Sequence, residues 1–187
     1  RWYSQAGTPK LHAAGSHDAA ARTYTLTLAQ SCAPTPGQAV KEPFVIPVGL
    51  GLLSPQGQAL PMQLASETSP APGARTFVLT QASETLTFVN IDAEPVPSIL
   101  RAFSAPVLLA FDYTEAQLLT LLAHDTDPFN RWEAGQRLGL RLAIRRITSH
   151  DAVTADVLDA AYIDAMRQVL RHPTLDAAFK ELVLTLP

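Results

Sequence analysis

The sequence predicts an all-β antiparallel sandwich followed by an all-α helical segment. Two observations predict it. Over roughly the first 112 residues apolar positions alternate with period two between frequent turn signals, and from Thr114 onward they recur at helical spacing. Most of the fifteen prolines also fall in the first part. The expected modules are residues 1–112 and 113–187.

Within the first module, Thr23-Tyr24-Thr25-Leu26-Thr27-Leu28 alternates polar and apolar residues, as a half-buried strand does. Phe44-Val45-Ile46 and Val48 to Leu53 read as strand material interrupted by Pro47, which cannot donate to a ladder and so suggests a sheet edge or a bulge. Arg75 to Thr80 and Glu84 to Ile91 read as a hairpin across Gln81-Ala82-Ser83. Leu86 and Phe88 share one face of the second arm, Val89 and Ile91 the other, so this strand is expected to be buried on both. Ser98 to Phe103 and Val107 to Phe111 complete the series. Turns are expected at Pro34-Thr35-Pro36-Gly37, Ser54-Pro55-Gln56-Gly57 and Ser69-Pro70-Ala71-Pro72-Gly73. Six to eight short strands so separated point to an antiparallel sandwich.

The second module opens with Thr114-Glu115-Ala116-Gln117, a capping box, before a face of Leu118, Leu119, Leu121 and Leu122. Asp127-Pro128 starts a second helix, with a carboxylate N-cap and proline where no N–H is needed, running from about Phe129 to Thr148. Gly135 and Gly139 inside it each cost about 1 kcal/mol relative to alanine, which implies close approach of another element. Thr154 begins a third helix, ended by His172-Pro173. Thr174 begins a fourth, with Phe179, Leu182, Val183 and Leu186 on one stripe.

Composition narrows the function. The chain has 187 residues, 47% hydrophobic and 17% charged, which is globular composition. A net charge of −3 and a pI near 5.9 speak against a nucleic-acid binder. The tight basic cluster Arg141, Arg145 and Arg146 reads as a solvated helix face. Apolar runs such as Pro106 to Phe111 are too short to span a bilayer. Cys32 is the one cysteine, so no internal disulfide forms, and a cytoplasmic setting is expected. The chain opens on Arg1 without a charged-then-apolar leader and stops just after an apolar stripe. A processed protein or an excised segment is therefore expected, with no secretory signal.

Motifs that carry chemistry are scarce. None of His12, His17, His124, His150 and His172 lies in H-E-x-x-H, and there is no C-x-x-C, Walker loop or G-x-G-x-x-G. Ser16-His17-Asp18 and Ser149-His150-Asp151 spell the residue types of a hydrolase triad. Consecutive residues point in different directions, however, so both read as turns with a Ser or Asp cap. His124-Asp125-Thr126-Asp127 offers oxygen ligands, but too few for a metal site; a helix C-terminal His followed by an N-cap Asp explains it better. Trp132 reads as a core or domain-interface anchor rather than a stacking platform. No catalytic, cofactor-binding or metal-binding residue is assigned.

Several segments, in order, resemble the bacterial alanyl aminopeptidase (aminopeptidase N) family of gluzincin metallopeptidases. They are residues 1–9 (Arg1-Trp2-Tyr3-Ser4 to Pro9), Thr23 to Leu28, Pro34 to Gln38, Glu94 to Arg101, Phe103 to Val107, Phe129 to Gln136 and Leu184 to Pro187. The resemblance implies an immunoglobulin-like sandwich plus the first helices of a larger helical domain. It also implies a parent enzyme that releases N-terminal residues from peptides by attack of zinc-activated water, with a Glu as general base. The family's zinc ligands and its G-A-M-E-N loop would lie upstream; neither is in this sequence, so the chain is expected to be inactive alone and zinc to belong to the parent. The implied partners are the catalytic domain and the rest of the helical domain, with peptide substrates reached through the parent. Dimerisation of the isolated chain through exposed helices is also expected. The alternative is a stand-alone Ig-like module that binds protein or carbohydrate through the loops 33–43 and 66–74.

Overall fold

The computed structural model describes residues 2–148 and 156–185. It begins with a strand that the sequence hides. In β1 (Lys10–Asp18), Leu11 is buried among alanines, a glycine and polar residues. It pairs antiparallel with β2 (Thr23–Ser31), from Lys10 opposite Ser31 to Asp18 opposite Thr23. In β2 the alternation is as expected: Tyr24, Leu26 and Leu28 are buried, while Thr23, Thr25 and Thr27 are half-buried. A Cβ on Gly15 would lie 2.1 Å from the Tyr24 Oη, so glycine alone leaves room for that ring against β1. Burial, with the charge of Glu94 second, raises the Tyr24 phenol well above its ordinary value.

Among the described residues six strands follow: β3 (Ile46–Leu53), β4 (Ala59–Leu60), β5 (Arg75–Leu79), β6 (Ser83–Val89), β7 (Val96–Ile99) and β8 (Leu108–Ala110). They form two sheets, one ordered β6-β2-β1-β8, the other β4-β3-β5 with β7 also paired to β3. All these pairs are antiparallel except β1 with β8, which is parallel. The inner faces share one core: Leu11, Tyr24, Leu26, Leu28 and Phe88 from the first sheet meet Ile46, Val48, Leu50, Leu52, Leu79 and Ile99 from the second. Phe77 and Phe88 meet edge-on across it at 6.0 Å. The antiparallel sandwich is the architecture expected, with that one parallel pair added.

Four local expectations for the sandwich are corrected. Residues 75–91 form no hairpin: β5 pairs with β3 and β6 with β2, so Thr80–Ala82 crosses from one sheet to the other. Glu84 Oε1 fixes the crossing by accepting from the N–H groups of Thr80 and Gln81. Nor is the second arm buried on both faces. Phe88 is buried, Val89 only half-buried, and Ile91 reaches the core only after Asn90 turns the chain with a φ of 61°.

Pro47 does not interrupt β3. It lies in the stretch 46–49, where β5 is the strand neighbour and β7 has not yet begun, and the Gly49 N–H is taken there by Ser104 Oγ at 2.9 Å. Ser98 to Phe103 is not one strand either. β7 ends at Ile99, and Arg101–Phe103 make a 3-10 turn with Leu100, Ala102 and Phe103 all at positive φ. That turn fits because Gly49 lies beneath it: a Cβ there would be 2.8 Å from the Arg101 carbonyl oxygen. The turns at 34–37 and 54–57 form as expected, closed by Gln38 N–H to Thr35 O and Gly57 N–H to Ser54 O.

The chain divides between Asp112 and Tyr113 into two compact units. In the second, α1 (Glu115–His124) starts at the Thr114 capping box, with both reciprocal bonds present. Leu118, Leu121 and Leu122 are its buried face. Next come α2 (Pro128–Thr148), α3 (Asp156–Arg171) and α4 (Ala177–Leu184). The fourth helix begins two residues later than expected: Asp176 is its N-cap, accepting from Phe179 N–H at 2.9 Å, whereas Thr174 bonds to His172. Val183 is buried and Phe179 half-buried, but Leu182 of the expected stripe is exposed. Ser149-His150-Asp151, Thr154 and Leu186 lie outside the described residues.

The close approach expected at Gly135 is made by helices. A Cβ there would meet Leu122 Cδ1 at 3.4 Å, Met166 Cε at 3.6 Å and Val183 Cγ1 at 3.8 Å, so α1, α3 and α4 all converge on this position of α2. Helix pairs stacked in this way form layers, α1 with α3 and α2 with α4.

Candidate functional site

Ser16, His17 and Asp18 close β1, so they are not the turn expected from the sequence. Successive strand residues project to opposite faces, which separates the Ser16 and His17 side chains. The His17 Nε2 is engaged with the Ile91 carbonyl at 2.9 Å, and Asp18 Oδ1 accepts from the N–H groups of Ala20 and Ala21, both at 2.9 Å. The Asp does cap the following turn, and the three groups form no proton relay. Ser149-His150-Asp151 falls outside the described residues.

The second named cluster, His124 to Asp127, is a buried polar corner between α1 and α2. His124 is exposed at the end of α1, whereas Asp125 and Asp127 are buried. Asp125 N–H closes α1 on Leu121 O. The Asp125 Oδ1 accepts from Asp127 N–H, and the Asp127 Oδ1 from Asn130 N–H, each at 2.9 Å. One carboxylate thus shapes the link and the next caps α2, the role expected of Asp127. These oxygens neutralise helix and turn N–H groups; among the described residues no cluster of three or more His, Cys, Asp or Glu is placed to hold a metal ion.

Sequence reasoning missed Arg131, which organises this corner. It is 4% exposed, and its Nε and Nη2 both donate to the Asp125 carbonyl, at 3.0 and 2.7 Å. Among the described residues its Nη1 has no hydrogen-bond partner. Burial lowers the guanidinium from its ordinary value, opposed by the charge of Asp125. The signal was present in the sequence: an arginine four residues after an N-cap Asp lies one turn into the helix, facing back to the link. Trp132 beside it is half-buried, its ring 5.9 Å from that of Phe129.

The three clustered arginines are not a bare basic patch. Arg141 donates to the Tyr113 carbonyl at 2.9 Å and Arg145 pairs with Glu115, so two of them tie α2 to the start of α1. The proline-rich loops are tied as well. Loop 66–74 is held by a two-pronged bridge, Arg75 Nη1 to Glu67 Oε2 at 2.8 Å and Nη2 to Oε1 at 2.6 Å, with the Arg75 guanidinium 5.1 Å from the Phe77 ring centre. Loop 33–43 is clamped by residues 4–6, through Gln38 and Lys41. Among the described residues no helix is long and apolar enough to cross a membrane.

A two-sheet sandwich joined to stacked helix pairs, with the buried carboxylates Asp125 and Asp127 committed to a turn and a cap, defines a paired Ig-like and armadillo-type scaffold. Comparison with known proteins makes this specific. Residues 7–112 match the family described as Domain of unknown function (DUF3458) Ig-like fold, and residues 115–187 match its companion, DUF3458_C ARM repeats. The chain belongs to the DUF3458 family.

Along its whole length it is similar to aminopeptidase N: 35% identical to that of Escherichia coli (strain K12) and 34% to that of Haemophilus influenzae, each over 187 residues. Against aminopeptidase N of Caulobacter vibrioides it is 40% identical over 186 residues. The chain spans about a fifth of these relatives, 21%, 21% and 20% of their lengths. Its fold is also that of a segment of Legionella pneumophila aminopeptidase A, solved in complex with aspartic acid. There the TM-score is 0.76 at 23% identity, over 100% of this chain and 19% of that one.

Proposed function

We propose that this chain is a non-catalytic scaffolding segment of a zinc-dependent aminopeptidase that releases N-terminal amino acids from peptides. One observation carries the reading: the entire chain aligns, at 34–40% identity, with about a fifth of proteins named aminopeptidase N. The sandwich would act as a wedge between the catalytic domain and the helical domain. The four helices would begin the wall around the chamber that holds the active site, so that short, flexible peptides enter and folded chains do not. No catalytic, cofactor or metal residue is assigned to this segment.

The donor set supports that division of labour. Asp125 and Asp127 spend carboxylate oxygens on N–H groups, and His124 points from an exposed helix end. These residues do not fit a zinc site, so the metal is assigned to the remainder of the polypeptide, in the cytoplasm. The natural partners of this segment are then the catalytic domain and the remaining helices of the same chain. Exposed aliphatics on its helices, Leu140, Ile144 and Ile147 on α2 and Ile163 and Leu170 on α3, are a face for such partners. In the isolated chain the same face would favour dimers.

Reading the coding DNA on both sides of residues 1–187 tests the proposal. An H-E-x-x-H with a later Glu, upstream and in frame, is the expected result. A frame that opens immediately before Arg1 would overturn it.

A further inference from the structure

We infer that residues 2–7 form a latch keyed by Lys41, which opens as one unit and, when open, uncovers Phe44 and Cys32. These residues belong to no strand, yet their backbone is held against the segment 38–45 at closely spaced points. Gln5 donates to the Glu42 carbonyl at 3.0 Å and accepts from the Glu42 N–H at 2.7 Å. Gln38 returns the arrangement, donating to the Ser4 carbonyl and accepting from the Ala6 N–H, both at 2.8 Å. Each side-chain amide therefore satisfies a donor and an acceptor of the opposing backbone, as a neighbouring strand would.

Lys41 joins these contacts. Its Nζ donates to the Ala6 carbonyl at 2.9 Å, to Thr35 Oγ1 at 2.6 Å and to Gln38 Oε1 at 2.8 Å. The Gln38 Oε1 that receives Lys41 is the same atom that receives Ala6 N–H. Because the bonds share atoms, removing the ammonium weakens its neighbours together. Trp2 closes the far end, its Nε1 donating to the Val45 carbonyl at 2.8 Å and its ring 4.8 Å from Phe44.

Most of these bonds lie at the surface, where each has a small net value, so the strap opens far more readily than the sandwich behind it unfolds. Opening would bare Phe44, now 1% exposed, beside a surface cavity of about 290 Å³ lined by Cys32, Lys41, Glu42 and Phe44 among others. Closed, the latch makes residues 2–7 a stiff joint and not a free tether. If the aminopeptidase reading holds, it sets the direction from which the preceding polypeptide reaches the sandwich. That use rests on the reading; the latch does not.

The full 187-residue chain supplies its own reporters. Cys32 is its one cysteine, half-buried, with Sγ 3.8 Å from the Ala6 carbonyl oxygen. In a Trp132→Phe background, Trp2 is the one remaining tryptophan, and excitation at the red edge of the absorption band, where tyrosine does not absorb, reads it alone. Lys41→Met should raise the rate of Cys32 labelling by a disulfide reagent about tenfold, the order expected for losing a charge-assisted hydrogen bond, and shift Trp2 emission to the red. Amide exchange in β1 and β2 should not change. Gln5→Ala, a milder lesion, should move both reporters in the same direction by less. Unchanged labelling and emission in both variants would overturn the latch. So would amide exchange in β1 and β2 that accelerates in step with labelling, since the strap would then be part of the sandwich's global stability. The DNA reading above leaves either outcome untouched, so the two ideas fail separately.

Discussion

The two units are built from opposite kinds of information. In the sandwich, partners are far apart in sequence: Tyr24 lies opposite Phe88, Leu11 opposite Leu109, and Leu50 opposite Ile99. In the helical unit the decisive contacts are near neighbours, such as Thr114 with Gln117, Asp127 with Asn130 and Asp176 with Phe179. A core assembled from distant strands should fail globally when one member is lost. A helix held by local caps should fail at its end first.

The sharpest way to break that contrast is Phe88→Ala. Phe88 is fully buried, touches Phe77 across the two sheets and belongs to the core they share. Its loss should cost about 3–5 kcal/mol, measured by urea unfolding. Amide exchange should accelerate in β2 and β3 together, although these strands belong to different sheets. Loss of protection confined to β6 would show that the sheets are not one cooperative core.

The same contrast explains what could be read in advance. Helix starts at Thr114 and Asp127 were legible because a cap and its partner are three residues apart. The β2 alternation was legible for the same reason. Pairing was not. The arms of the supposed hairpin at 75–91 each have strand character, but which sheet takes them is decided by β2 and β3, tens of residues away. β1 was hidden because its neighbours supply its burial: between β2 and β8 even Lys10-Leu11-His12-Ala13 becomes strand. Of the candidate site residues, Asp127 was placed correctly as a cap. Arg131 was missed although its spacing from the Asp127 cap was legible, because the group it engages is a main-chain carbonyl, that of Asp125, six residues back.

Two glycines sharpen the comparison by sign. Gly15→Ala places a methyl 2.1 Å from the buried Tyr24 hydroxyl, an overpacking that should cost about 1–3 kcal/mol. Gly135→Ala meets only side-chain carbons at 3.4 to 3.8 Å and removes glycine from a helix interior, so a gain of up to about 1 kcal/mol is expected. Thermal unfolding of both variants checks this. A destabilised Gly135→Ala would mean that α1, α3 and α4 pack too tightly on α2 to take even a methyl at van der Waals distance.

Asp127→Ala should be felt locally. It removes the acceptor for Asn130 N–H at the first turn of α2 and should cost about 0.5–2 kcal/mol. Amide exchange should quicken around 129–131 while the protection of β2 and β3 is unchanged. Equal loss in the sandwich would remove the distinction between local and global failure.

The smallest effect is electrostatic and lies at the sandwich surface. Hydrogen bonds from Arg75, then from the Leu64 N–H, lower the Glu67 carboxyl from 4.5 to about 2. A carboxylate that binds protons less readily when folded contributes stability above its unfolded value, and that contribution fades as pH falls from about 4.5 towards 2. The bridge is partly open to water, with Arg75 and Glu67 side chains 25% and 30% exposed, so salt should weaken it. Melting temperature followed from pH 6 to pH 2 should therefore fall less steeply for Glu67→Gln than for the unaltered chain, with the two curves converging at the acid end. Parallel curves would mean that loop 66–74 is held by Gln63 and the backbone turn at Leu64 rather than by charge. Even this loop, which is local in sequence, would then take its shape as the helices do, from neighbouring donors and acceptors.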